Sequence, residues 1–171
     1  MALLSSKMVP LGTPAPDFNL KGVDDQWHTL GSYAAEEVLV VVFMCNHCPY
    51  VQKIWDDLVG LEKSMPSEVQ FVGINSNGGN AAYPEDSFEK MKEYASERGQ
   101  EFPYLIDDTQ TVGKAYDAQC TPDFFVYGPD RLLAYRGAFV GLSGAIESLL
   151  VGQEPSPQQE HSMGCSIKWN A

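Results

Sequence analysis

Cys45-Asn46-His47-Cys48 sets two thiols three positions apart with an imidazole between them. Thiols at that spacing can close a reversible disulfide, with a thiolate as the attacking species. Cys120 and Cys165 complete a set of four cysteines, which allows three full pairings. The same side chains are also soft metal ligands. Cys45, His47, Cys48 and Cys120 together would suit copper(I), zinc or an iron–sulfur cluster.

The flanking residues say how the pair is held. Val38 to Met44 is an unbroken apolar run rich in β-branched residues, the pattern of a strand buried on both faces. Val51, Ile54, Trp55, Leu58 and Leu61 then recur at helical spacing, which predicts a helix from Cys45 to about Lys63. The pair falls at a strand-to-helix junction, where free N–H groups and the helix dipole favour a thiolate. On this reading Cys45 is the more exposed, attacking thiol and Cys48, half-buried, resolves the mixed disulfide. Pro49 sits early in the helix, where a missing N–H costs least.

The rest of the chain supplies the frame. Residues 1–13 read as a loose arm, and Pro14–Leu20 with Gln26–Leu30 as a hairpin around Lys21–Asp25. Thr29–Tyr33 suits a helical turn, and Val69–Asn75 a second central strand. Asp86 and Glu89 fit a capping box for a helix ending near Arg98-Gly99. A short strand at Phe102–Ile106, a short helix at Thr109–Tyr116, a hairpin turning at Gly128–Asp130 and a helix through Leu142, Ile146, Leu149 and Leu150 follow. Gly78-Gly79 lacks the residues of a phosphate loop and reads as a flexible rim. A Pro- and Gln-rich tail starts at about 152, and Met163, Cys165, Ile167 and Trp169 alternate as in a docked strand. These elements predict an α/β fold with a mixed central sheet, helices on both faces and an N-terminal β-hairpin extension, one domain over 1–171.

Composition narrows the function classes. The 171 residues carry a formal net charge of −12, which argues against nucleic acid and anionic membrane as partners. No apolar stretch is long enough to span a bilayer, and the first residues lack a basic region followed by an apolar run, so the expected location is cytoplasmic. In that compartment four cysteines point to redox or metal chemistry rather than to staples.

At this point the chain resembles the thioredoxin fold, with Cys-x-x-Cys after the first central strand and Thr121-Pro122 before the hairpin. Thr13-Pro-Ala-Pro-Asp-Phe-Asn-Leu20 resembles the start of the peroxiredoxin branch, the alkyl hydroperoxide reductase/thiol-specific antioxidant (AhpC/TSA) family. Phe43-Met-Cys-Asn-His-Cys-Pro-Tyr-Val51, Gly73-Ile-Asn-Ser-Asn77, Cys120-Thr-Pro-Asp-Phe-Phe125 and Gly164-Cys-Ser-Ile-Lys-Trp169 resemble a redoxin-like subgroup of it. The tryptophan that usually precedes the first cysteine in thioredoxins is replaced by Met44, so the resemblance implies a different substrate-facing surface.

The resemblance implies a thiol-disulfide oxidoreductase, antioxidant in role, cycling a Cys45–Cys48 disulfide. Its partners would be protein or small-molecule thiols and disulfides and a thiol reductant system. No cofactor or resident metal is expected. Pro122 would be the cis-proline, and Thr121 would present backbone groups to a substrate strand. His47 stands where a related periplasmic oxidase has a histidine that stabilises the first thiolate. Two alternatives stay open. One is a thiol peroxidase acting on peroxides through the same cysteines; peroxidatic cysteines occupy the place of Cys48, but Cys45 replaces the Thr or Ser found three residues earlier, and Arg136 is the guanidinium available to such a site. The other is a metal carrier. Cys120 and Cys165 remain open as additional redox or ligand residues, and Asp107, Asp108, Asp117 and Asp123 are carboxylates with no assigned role.

Overall fold

A computed structural model describes residues 2–170. Its centre is β4 (Val38–Phe43), every residue of which is buried. Successive side chains of a strand point to opposite faces, and here they divide cleanly. Val38, Val40, Val42 and Met44 enter one apolar layer, and Leu39, Val41 and Phe43 the other. That two-sided burial is why the run carries no polar alternation.

β4 pairs in parallel with β5 (Val69–Asn75), which pairs in parallel with β6 (Tyr104–Ile106). On its other side β4 pairs antiparallel with β8 (Asp123–Tyr127), and β8 with β9 (Leu133–Gly137), across a bulge at Val126/Tyr127. The hairpin β2 (Asn19–Gly22) and β3 (Trp27–Thr29) extends the far edge through β6. The seven-stranded order is β3-β2-β6-β5-β4-β8-β9.

The helices cover both faces. α1 (Pro49–Ser64), α2 (Phe88–Glu97) and α4 (Leu142–Leu150) bury side chains in the layer of Val40 and Val42. α3 (Thr111–Ala115) joins Phe18, Leu20 and Tyr33 in the opposite layer. Thr29 caps the 3₁₀ turn Leu30–Tyr33 with a capping box to Ser32. The capping box expected at Asp86 is absent, because Ser87 is the N-cap of α2 and accepts from the Lys90 amide.

The arm expected to be loose is partly ordered. β1 (Leu3–Ser5) pairs antiparallel with β10 (Met163–Ser166), and β10 pairs antiparallel with β7 (Cys120–Thr121). The tail strand is therefore docked, as its alternation suggested, with Cys165 and Ile167 buried while Met163 and Trp169 stay exposed. The glycines expected to form a flexible rim are packed instead. A Cβ on Gly79 would lie 2.3 Å from the Asp108 carbonyl oxygen, and one on Gly78 2.7 Å from Ile106.

Trp55 anchors α1. It is fully buried, edge-on to Tyr104, stacked on Tyr94, and donates from Nε1 to Gln100 at 2.8 Å. Removing it leaves a large cavity and an unpaired amide, so Trp55→Ala should cost about 3–5 kcal/mol. The check is a urea titration: the midpoint should fall with the slope unchanged, and a loss below about 1 kcal/mol would mean that the site collapses to fill the space.

Candidate active site

β4 ends one residue before the cysteines. Met44 continues its pairing, with its amide on the Ile74 carbonyl at 3.0 Å, and its side chain is buried against Gly73, where a Cβ would lie 2.9 Å from the Met44 sulfur. Met44 thus belongs to the core. The helix begins later than its apolar spacing suggests. Pro49 is its first residue and Cys48 its N-cap, in extended backbone conformation. Proline at the first helical position explains this start: its fixed φ suits the helix and its missing N–H is one of the unpaired groups anyway. Cys45 lies in the turn before α1.

Three sulfurs converge here. Cys48 Sγ lies 2.7 Å from Cys165 Sγ and 3.4 Å from the Thr121 carbonyl oxygen. Cys45 Sγ lies 3.3 Å from Thr121 Oγ1. The Thr121–Pro122 peptide is cis, and Thr121 meets both cysteines. Cys120 sits beside them in β7, but its sulfur faces the Pro122 carbonyl at 3.9 Å. All four thiols are free and buried; Cys45 is 1 %, Cys48 0 % and Cys165 2 % exposed. The exposed position expected of Cys45 is therefore corrected: it is as buried as Cys48, over which β10 places Cys165.

The electrostatics also run opposite to the expected order. Cys48 is brought down to about 4 because Cys45 donates to its sulfur, with Cys165 and the Val51 amide adding to this against the cost of burial. Cys45 is held well above the ordinary thiol value as the donor to Cys48, and burial and the Asp86 carboxylate reinforce it. Burial and its contact with Cys48 push Cys165 up to about 12. Burial raises Cys120 as well. The position at the end of a 16-residue helix is where a sulfur anion gains most from the dipole.

His47 does not hydrogen-bond to either thiol. Its Nδ1 meets Asp86 Oδ2, its ring stacks on Tyr83 at 5.3 Å between centroids, and its Nε2 is buried without a hydrogen-bond partner. Asp86, fully buried, also accepts from the Asn46 amide at 2.6 Å and the His47 amide at 3.3 Å. Asn46 completes the turn by donating to the Glu85 carbonyl and accepting from Tyr104, both within 2.9 Å. Asp86 is the residue of this site that sequence reading missed. Its partners lie 39 and 40 positions away, and only a lone carboxylate before a helix marked it.

The expected soft-metal set is not assembled as predicted. Cys45, His47 and Asp86 bring one donor atom each within 4.8 Å of one another. That set replaces Cys48 and Cys120 with a hard carboxylate already engaged by the turn. Arg136 does not serve the cysteines: its guanidinium donates to the Val9 carbonyl at 2.7 Å and to Gln159 at 2.8 Å. Of the unassigned carboxylates, Asp107 binds Ser76 and the α3 amides, Asp117 binds Lys7, and Asp123 is buried with its carboxyl pushed well up by burial.

The AhpC/TSA family model matches residues 11–140. The chain belongs to the AhpC/TSA family. No curated protein matches this AhpC/TSA chain. Among solved structures, an uncharacterized conserved protein from Geobacillus kaustophilus is 42 % identical, with a TM-score of 0.95 over 99 % of this chain and 97 % of its own. A hypothetical protein from Sinorhizobium meliloti 1021 is 35 % identical, with a TM-score of 0.94 and 98 % of each chain covered. The thioredoxin domain of a thiol-disulfide oxidoreductase from Bacteroides vulgatus shares the fold at 14 % identity, with a TM-score of 0.69 over 81 % of this chain and 96 % of that one. The AhpC/TSA chain is thus a thioredoxin-like redoxin by family and fold. Among the described residues, no helix is long and apolar enough to cross a membrane.

The lowered Cys48 predicts a stability profile. Its folded value lies below the unfolded thiol value of about 8.5, so its contribution is fully present above about pH 8.5 and is lost as pH falls toward about 4. Cys45 and Cys165 act in the opposite sense and only above that range, since the folded state retains protons there that the unfolded chain releases. Denaturant midpoints of reduced protein should therefore rise with pH up to about 8.5, and Cys48→Ser should remove much of that slope. A wild-type slope that persists in Cys48→Ser would assign the dependence to other groups.

Proposed function

We propose that this protein is a thiol-disulfide oxidoreductase that cycles a disulfide between Cys45 and Cys48, with the roles of the two thiols exchanged from those that motif position alone suggests. The observation that carries this reading is Cys48 as N-cap of α1, its value lowered to about 4 with the Cys45 thiol as donor. A thiolate held at a helix N-terminus is the nucleophile of such a pair.

In the cycle, the Cys48 thiolate attacks one sulfur of a substrate disulfide. A mixed disulfide forms and one substrate thiolate leaves. Cys45 gives up its proton and attacks Cys48 Sγ, the second substrate thiolate departs, and the Cys45–Cys48 disulfide remains. Two electrons have passed to the substrate, and an external thiol reductant restores the dithiol. Thr121, ahead of cis-Pro122, touches both sulfurs and orients them. His47 and Asp86 hold the turn by fixing the amides of Asn46 and His47, and the Asp86 carboxylate also disfavours an anion at Cys45.

A second reading draws on the same thiolate. Attack of Cys48 on a peroxide would break the O–O bond, giving a Cys48 sulfenic acid and an alcohol or water. Condensation with Cys45 would then release water and leave the same disulfide. Arg136, engaged with Val9 and Gln159, is not available to orient the peroxide, which favours the disulfide substrate.

Dithiothreitol-driven insulin reduction by serine variants separates the roles. Cys48→Ser should fall to the uncatalysed background. Cys45→Ser, combined with Cys165→Ser so that no neighbouring thiol can resolve them, should accumulate mixed disulfides through Cys48. Adducts that accumulate in Cys48→Ser instead, with Cys45→Ser inert, would return the attacking role to Cys45. Rapid peroxide consumption by a wild type that leaves insulin untouched would move the function to the peroxidase.

A further inference from the structure

The groove that an incoming peptide strand would need beside Thr121 is filled by this chain's own β10. Cys165 is the register partner of Thr121, and Ser166 that of Cys120. The approach is unusually close: a Cβ on Gly164 would lie 1.9 Å from the Thr121 carbonyl oxygen and 3.2 Å from the Pro122 nitrogen. Only glycine fits where two backbones meet this tightly. The strand is fixed beyond that point, with the Ile167 amide on the Gln119 carbonyl at 3.1 Å, the Lys168 amide on Asn77 at 2.8 Å and Gln110 on the Lys168 carbonyl at 2.7 Å. The result is to hold Cys165 Sγ 2.7 Å from Cys48 Sγ, across 117 positions of sequence. Pairing of an added strand with an exposed backbone edge is the general way in which a peptide is presented to such a site.

We propose that β10 is an internal substrate strand and that Cys165 exchanges with Cys48, so that a Cys48–Cys165 disulfide is a second oxidised state of the protein. The proposal rests on the reading of Cys48 as a redox-active sulfur. The step is an isomerisation. The Cys165 sulfur attacks Cys48 Sγ within the Cys45–Cys48 disulfide, the Cys45–Cys48 bond breaks, and Cys45 leaves as a thiolate. The proton given up by Cys165 ends on Cys45. No electrons enter or leave, so no further oxidant is required. The geometry suits Cys165 rather than Cys120, whose sulfur faces the Pro122 carbonyl. In this state oxidising equivalents move from the turn to the tail strand, and Cys45 returns to the thiol form.

Disulfide mapping tests this. Wild type, Cys45→Ser, Cys165→Ser and Cys120→Ser are equilibrated in graded glutathione buffers, alkylated and digested without reductant. Linked peptides are then quantified by mass spectrometry. Wild type and Cys120→Ser should yield a Cys48–Cys165 peptide alongside Cys45–Cys48. In Cys45→Ser the Cys48–Cys165 bridge should become the main oxidised product, and Cys165→Ser should yield Cys45–Cys48 alone. Cys45→Ala repeats the measurement should serine in the turn disturb folding, which circular dichroism would reveal. Free Cys165 in Cys45→Ser, with Cys48 reduced or carrying glutathione, would overturn the inference under buffers that fully oxidise Cys165→Ser, and would leave the Cys45–Cys48 reading standing. A Cys48–Cys165 bridge in Cys45→Ser with no Cys45–Cys48 bridge in Cys165→Ser would do the reverse.

Discussion

A sulfur anion buried in apolar surroundings must be met by donors on every side, because an uncompensated charge there is strongly disfavoured. At Cys48 none of the donors is a cation. They are the Cys45 thiol, the Cys165 thiol, the Thr121 hydroxyl and the Val51 amide, the last at the positive end of α1. Each comes from a different part of the chain, and each is delivered by a separate device. The two-sided burial of β4 fixes the height at which Cys45 emerges. Pro49 sets the first turn of α1 and so the orientation of the free amides. The pairing of β10 with β7 brings Cys165. Remove any one and the Cys48 thiolate is less favoured, so the architecture around the site serves to stabilise one sulfur anion with the chain's own donors.

Asp86 works against that arrangement and makes it directional. Its buried carboxylate lies on the Cys45 side, where it accepts from the Asn46 and His47 amides and pairs with the His47 ring. It disfavours a second anion at Cys45. The site therefore separates its two thiols by placing a fixed negative charge next to one and a helix N-terminus next to the other. Two like groups with environments that push them apart are the general pattern of a division of labour in a catalytic pair.

How much of this was legible in the chain depended on how local each cause was. β4 could be read from composition because burial on both faces leaves a continuous apolar signature. The hairpin β8–β9 and the helix α4 followed from turn residues and spacing. The start of α1 was misplaced because apolar periodicity reports the buried face of a helix, not its first residue; Pro49 carried the better signal. β1 escaped notice because Leu3–Ser5 is exposed and its partner strand lies at the other end of the chain. The same long separation hid the Cys48–Cys165 contact, the link between Asp86 and the cysteine turn, and the engagement of Arg136 by Val9 and Gln159. In the site, residue types were readable and pairings were not, since a pairing between distant segments leaves no periodicity for sequence reading to find.

On the function proposed above, covering the Cys45–Cys48 pair with the chain's own strand has a consequence for access. An external strand that seeks the Thr121 edge competes with β10 for the same backbone groups, and β10 acts at high effective concentration because it is tethered. Its hold is uneven. At Gly164 the backbones touch, and at Lys168 side chains of Asn77 and Gln110 grip it, but on its outer side it has only the short, exposed β1. Small thiols and small disulfides need only a local opening to reach Cys48, whereas a folded protein substrate needs the strand to leave. Displacement frees Cys165 from Cys48 and removes one of the donors that lower the thiol, so a substrate that peels β10 away meets a more basic and more nucleophilic sulfur than the one the closed site holds. Strand occupancy and thiol reactivity are thereby coupled through a single sulfur contact.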